Sequence, residues 1–212
     1  MVLRVALEEE LERAEPADDV LRRVRAVDAK DELLRPVALE RRPDLRGRVG
    51  MLALLDPSRQ EIPEYVEEQR RIEEAAAEVE ERFPGSLRLR IADDFPESVA
   101  AYKQFDVLLV NAAMDGLNLV SKEAPLVNER DGVVVLSENA GSFEELAAVV
   151  VPVDPLDVEA TADALEAALA LPAEERRARL ERLRARVREH DLHAWAEAQL
   201  ADLDRATTMR RG

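Results

Sequence analysis

Val107-Leu-Leu-Val-Asn-Ala-Ala-Met-Asp-Gly-Leu-Asn-Leu-Val-Ser-Lys-Glu123 carries the change of pattern that decides the fold. It opens with four apolar residues in a row, Val107–Val110, a length that suits a strand. The lack of alternation means that both faces of that strand meet apolar neighbours. Asn111-Ala-Ala-Met-Asp-Gly116 then supplies loop chemistry, and a helix is predicted over 118–128. Strand, short loop and helix make the unit from which a parallel sheet is wound.

On either side the unit recurs. Val49–Leu55, Leu87–Ile91, 133–136 and 149–153 are further short runs of β-branched residues or Leu. In the second of them Arg88 and Arg90 separate Leu87, Leu89 and Ile91, the mark of an edge strand with one wet face. Between the runs lie helical stretches. Over 62–83 the residues Ile62, Tyr65, Val66, Ile72, Ala76, Val79 and Phe83 recur at three- and four-residue steps. Pro63 suits the first turn of that helix and Pro84-Gly85 ends it. Shorter helices fit 96–104 and 142–147, and three more, over 157–171, Ala173–Glu189 and 191–206, follow the last strand without a strand between them. The alternation predicts an α/β fold, a doubly wound parallel sheet with C-terminal helices. The expected organisation is an N-terminal segment over 1–45, a domain over 46–190, and a crossing helix with tail over 191–212. Within the first segment, helical pieces near 5–14 and 31–40 flank 24–27, which reads as a short first strand.

Composition excludes several classes of function. Of 212 residues, 46 are acidic and 30 basic, a net charge of −16 that opposes binding to nucleic acid or an anionic membrane. There is no Cys, hence no disulfide, thiolate zinc site or cysteine nucleophile. The two histidines, His190 and His193, stand three apart at a helix joint with no third His and read as structural. Asp191 reads as the N-cap of the last helix. No apolar run approaches the roughly 20 residues of a membrane span, and acidic residues from Glu8 onward argue against a signal peptide. A soluble, cytoplasmic protein is expected.

In an open parallel sheet, ligands bind beyond the carboxyl ends of the strands. The loop after Val110 is therefore the candidate site. Gly116 allows a tight turn and close backbone approach. The amides near 118–120 open a helix and suit a diphosphate. Glu123 lies one turn beyond Leu119, where a carboxylate takes two hydrogen bonds from a vicinal diol such as a ribose, and Asp115 can reach a sugar hydroxyl. The same residues also fit an ordinary βα loop, with Asp-Gly as turn chemistry and Glu123 solvated.

Asp115-Gly-Leu-Asn-Leu-Val-Ser-Lys-Glu123 closely resembles the donor-site motif of trehalose-6-phosphate synthases, usually Asp-Gly-Met-Asn-Leu-Val-Ala-Lys-Glu. Three other segments agree in order: Asp56-Pro-Ser-Arg-Gln-Glu-Ile-Pro-Glu-Tyr65, Val135-Leu-Ser-Glu-Asn-Ala-Gly141 followed by Glu144-Glu-Leu146, and the closing stretches around Asp154, Pro172 and Trp195. The resemblance spans about Arg22 to Arg205. It implies the Rossmann-like, donor-binding half of a retaining, metal-independent glycosyltransferase. That enzyme type moves glucose from a nucleotide sugar, typically UDP-glucose, to a sugar phosphate in trehalose biosynthesis. The nucleotide sugar is a substrate, so no cofactor and no metal is expected.

By the same resemblance Leu119, Val120, Ser121, Lys122 and Glu123 line the nucleotide, while Asp115, Leu117 and Asn118 approach the glucosyl unit. Arg25 and Lys30, five positions apart, occupy the place of the family's diphosphate clamp. Their neighbours depart from its pattern, and the alternative is a pair of surface charges. Phe95 stands where the family often sets an aromatic beside the base, or is a core aromatic at a helix start. Arg59 matches a contact to the acceptor's phosphate, or pairs with Glu61 or Glu64. The resemblance covers only the second of the family's two domains, so the catalytic cleft is expected to need a partner, either a second copy or a separate N-terminal half. The stripe Leu192, Trp195, Gln199 and Leu203, with Leu200 beside it, is the face expected to meet that partner. Two readings follow: a glycosyltransferase donor domain, or a non-catalytic binding or regulatory module derived from that family.

Overall fold

The computed structural model describes residues 2–5, 37–57 and 61–209. Among the described residues six strands form one sheet: β1 (Val2–Val5), β2 (Val49–Leu55), β3 (Leu87–Ile91), β4 (Val107–Val110), β5 (Val133–Ser137) and β6 (Val151–Val153), in the order β3-β2-β1-β4-β5-β6. Among the described residues the helices are α1 (Val37–Arg41), α2 (Pro63–Arg82), α3 (Phe95–Gln104), α4 (Val120–Val127), α5 (Phe143–Leu146), α6 (Val158–Ala170), α7 (Ala173–Glu189) and α8 (Leu192–Met209). Strand order and alternation are those of a doubly wound α/β sheet. β2 pairs with β3, β4 with β5, and β5 with β6, all in parallel.

The centre of the sheet is its one departure from a uniform direction. β1 runs antiparallel to both neighbours, with Val2 opposite Leu52 and Leu108 and Val5 opposite Val49. Either ladder can accept an antiparallel strand, because the backbone groups of β2 and β4 present donors and acceptors to both directions. The predicted strand over 24–27 lies outside the described residues. Val5, expected at a helix start, instead closes β1, and the predicted helix over 31–40 is described only from Val37, as part of α1.

Local chemistry explains the main elements. Pro63 begins α2, and Gly85, at φ +79°, follows its end. Asp94 caps α3 by accepting from the backbone N–H of Glu97 at 2.9 Å, and Asp157 caps α6 through Ala160 N–H at 2.9 Å. β4 and β5 are buried along their whole length, as unbroken apolar runs require. β3 is an edge strand, and its Arg88 and Arg90 face water. β6 is shorter than predicted because Val149 and Val150 donate to the Leu146 carbonyl and finish the turn after α5.

Neighbouring residues of β2 divide the core between two faces. Leu52 and Leu54 join the main cluster with Phe105, Leu108, Leu136, Leu146 and Leu183. Ala53 joins a second cluster, with Ile72, Ala76 and Val79 of α2 and Leu87 of β3. Behind α4, Asn128 is a buried hub. It donates to the carbonyls of Tyr102 (3.1 Å) and Phe105 (2.9 Å) and accepts from the backbone of Arg130 (3.0 Å) and Gly132 (2.8 Å). α8 starts at the predicted cap, Asp191, which accepts from Ala194 N–H at 2.9 Å. Its Leu192, Trp195, Leu200 and Leu203 are all more than 60% exposed.

Candidate functional site

The five strands that share a direction end on one rim, and the connections that leave it include 92–94 before α3, 111–119 before α4 and 138–142 before α5. The second and third are clasped together. Asp115 N–H donates to the Asn139 carbonyl at 3.3 Å, Gly141 N–H to the Asp115 carbonyl at 2.9 Å, and Ser142 N–H to the Leu117 carbonyl at 2.9 Å. The clasp explains why position 141 is Gly: a Cβ there would stand 2.0 Å from the Gly116 carbonyl oxygen. Upstream, Ser137 Oγ holds the Ala112 carbonyl (2.7 Å) and Asn139 Nδ2 holds that of Ala113 (3.0 Å).

The turn into α4 is built by side chains. Asp115 Oδ1 accepts from the backbone N–H groups of Leu117 and Asn118, each at 3.1 Å, and its Oδ2 accepts from Asn118 Nδ2 at 3.0 Å. Asn118 takes the left-handed conformation, φ +65°, and its Oδ1 caps Ser121 N–H at 3.2 Å. The positive φ thus falls on Asn118 rather than Gly116. Asn bears that conformation because its side chain bonds locally. It also sets the helix start back to Val120, two residues later than predicted. Ser121 is fully buried; its hydroxyl donates to the Asn118 carbonyl at 2.7 Å and pairs with Ser142 Oγ at 2.8 Å.

The result is a helix N-terminus presented to the rim. No described residue accepts from the N–H groups of Leu119 or Val120. These amides carry the positive end of the α4 dipole. Glu123 is exposed one turn along, and no described residue pairs with its carboxylate. A free amide pair beside a free carboxylate can hold an anion and a diol side by side. Phe95, 70% exposed at the first position of α3, stands on the same rim with Met114 (84%), Leu117 (45%) and Leu119 (55%). Exposed apolar side chains of this size suit the flat face of a base or a covering protein surface.

Of the residues singled out in the sequence, Asp115, Leu117, Asn118, Leu119, Val120, Ser121, Lys122 and Glu123 form one continuous turn, with Phe95 on the same rim. Their orientations differ. Asp115, Asn118 and Ser121 spend their polar groups on the loop itself. Lys122 is engaged by another element: its ammonium is tied to Glu145 Oε2 of α5 at 2.5 Å in a part-buried pair. Arg25, Lys30 and Arg59 lie outside the described residues. Met114, Asn139, Gly141, Ser142 and Glu145 were not read as site residues. The rule of carboxyl ends, applied to the next strand, β5, points to the segment 138–142.

Among the described residues no group of three or more His, Asp or Glu is placed to hold a metal ion. His190 accompanies the Arg186 carbonyl at the end of α7, and His193 faces Glu197. No described helix is long and apolar enough to cross a membrane.

Comparison with known proteins agrees with the fold and the motif. The model of glycosyltransferase family 20 matches residues 22–205. Validamine 7-phosphate valienyltransferase of Streptomyces hygroscopicus subsp. jinggangensis is 36% identical over 157 residues, 74% of this chain and 32% of that protein. The trehalose-6-phosphate synthase of Sinorhizobium fredii is 36% identical over 169 residues, 76% of this chain and 36% of that protein. A UDP-forming α,α-trehalose-phosphate synthase structure from Burkholderia xenovorans superposes with a TM-score of 0.79 at 29% identity, over 92% of this chain and 48% of that one. The chain thus spans between a third and a half of the length of these relatives.

Proposed function

The chain belongs to glycosyltransferase family 20, and from that premise we propose that it is the donor-binding half of a retaining glycosyltransferase that uses a UDP-glucose-like nucleotide sugar. The observation that carries this reading is the pairing of the Leu119 and Val120 amides with the Glu123 carboxylate on one turn of α4. The amides and the helix dipole meet the diphosphate, and Glu123 accepts from both ribose hydroxyls. As the glycosidic bond to the diphosphate breaks, negative charge grows on the leaving oxygen. Preorganised amides stabilise it without a metal, joined by Arg25 and Lys30 if these form the family's clamp. Phe95, Leu117 and Leu119 supply apolar surface around base and sugar.

The acceptor is a sugar phosphate or a cyclitol phosphate. The relatives' names include one of each kind, a trehalose-6-phosphate synthase and a validamine 7-phosphate valienyltransferase. Arg59 is the residue expected at its phosphate. The rim seen here is one wall of a cleft, and group transfer needs the acceptor held and water kept out. A second wall comes from a partner, a further copy of the chain or a separate N-terminal half, seated against α8. Work in the cytoplasm, away from nucleic acid and membrane, fits the −16 charge. A second reading, a non-catalytic module that binds nucleotide, is favoured by Asp115 and Asn118 spending their side chains on the loop itself.

Calorimetric titration with UDP, GDP and UDP-glucose tests the proposal. Micromolar binding of one nucleotide is expected, with Glu123→Ala weakening it by about 1.5–3 kcal/mol, the range for a hydrogen bond to a charged group. Absence of binding at millimolar nucleotide would overturn the donor-site reading.

A further inference from the structure

Asn111 sits one residue past the end of β4, four residues before Asp115, and is 6% exposed. Its Nδ2 and Oδ1 are both buried, and neither has a hydrogen-bond partner. Among the described residues it is the one side chain with two such atoms. A carboxamide offers two donors and an acceptor with two lone pairs, and leaving all of them buried without a partner costs stability.

The surroundings make that vacancy specific. Every other asparagine or serine of the clasp is satisfied: Asn118 through both side-chain atoms, Ser121 with Ser142, and Ser137 and Asn139 on the carbonyls next to Asn111. Those two carbonyl clamps hold residues 112 and 113 in place, so the unpaired amide is not a consequence of a slack loop. An apolar residue of similar size would suit the pocket better if folding were the only requirement.

We propose that Asn111 is a positioning residue whose amide is satisfied only when the rim is occupied by the nucleotide of the donor, so that nucleotide binding and the root of the 111–119 loop are coupled. The inference rests on the donor-site reading. Binding gains what the free chain lacks: the hydrogen bonds of a buried amide at the base of the loop that carries the Leu119 and Val120 amides. Stability is given up in the free state and recovered in the bound one.

Thermal melting and UDP calorimetry on the full chain, wild type against Asn111→Leu, test it. The variant is expected to melt a few degrees higher without ligand and to bind UDP about tenfold more weakly. Asn111→Gln, which keeps the amide on a longer stem, should fall between them in affinity. A lower melting temperature in Asn111→Leu would show that the amide is already satisfied in the free chain and would overturn the inference. So would a UDP affinity equal to wild type. The two readings fail differently: if wild type binds no UDP the donor site itself is wrong and this coupling falls with it, whereas binding in wild type with unchanged affinity in Asn111→Leu rejects only the coupling.

Discussion

Asn118 shows how much of the rim one residue sets. It holds a left-handed backbone, caps Ser121 and anchors Asp115. Its two roles separate by substitution. Asn118→Gly keeps the positive φ and loses the side-chain bonds, while Asn118→Ala loses the bonds and adds left-handed strain of about 1–2 kcal/mol. Ala is therefore expected to be the less stable of the pair by about 1 kcal/mol or more. Urea unfolding of both variants measures the gap, and equal stabilities would mean that the turn relaxes. Asp115, read from the sequence as a group reaching the sugar, has three of its lone-pair sites committed to the loop. Its first task is to build the turn, which the spacing Asp115…Asn118 conveys only as turn chemistry. The vacancy at Asn111 was not legible at all, since an unpaired atom is a property of its neighbours.

At the scale of elements, the strands and helices from β2 onward follow from periodicity and punctuation. The fully apolar runs became buried strands, the alternating one became an edge, and Asp191, read as a cap, became one, while the caps Asp94 and Asp157 emerged only in the structure. The joint between α4 and β5 is held by Asn128, a residue that sequence alone would assign to an ordinary loop. Its side chain makes four hydrogen bonds at 4% exposure and ties the end of α3, the end of α4 and the start of β5 together. Asn128→Ala would remove all four of these hydrogen bonds from a buried joint, and a loss of about 2–4 kcal/mol is expected from chemical unfolding. A change below about 0.5 kcal/mol, the range of ordinary surface sites, would show that water replaces the hub. Because α4 carries the free amides, the same variant should also weaken UDP binding.

For the whole molecule, the open feature is α8. Leu192, Trp195, Leu200 and Leu203 leave a contiguous apolar stripe in water on a chain whose other faces are strongly charged. Light scattering and iodide quenching of Trp195, the chain's single Trp, decide what covers it. A mass above that of the 23.7 kDa monomer, reduced to it by Leu200→Ser with Leu203→Ser, is expected if a second copy provides the other wall. A monomer with Trp195 open to iodide leaves the face free for a separate N-terminal half. A monomer with Trp195 shielded would mean that α8 folds back on its own domain, and the partner proposal would fail.

Sequence by itself determined the doubly wound α/β class, the family and the position of the candidate turn, because each depends on local pattern: apolar runs of strand length, caps and breakers, and a nine-residue motif from Asp115 to Glu123. The tertiary structure decided what depends on contacts between distant segments. It put Val2–Val5 into the centre of the sheet against the common direction, turned Lys122 onto Glu145, pressed Gly141 against Gly116 and left the Asn111 amide buried without a hydrogen-bond partner. Strand direction, ion-pair choice and hydrogen-bond satisfaction are set by which surfaces meet in space, and no spacing along a single chain encodes them.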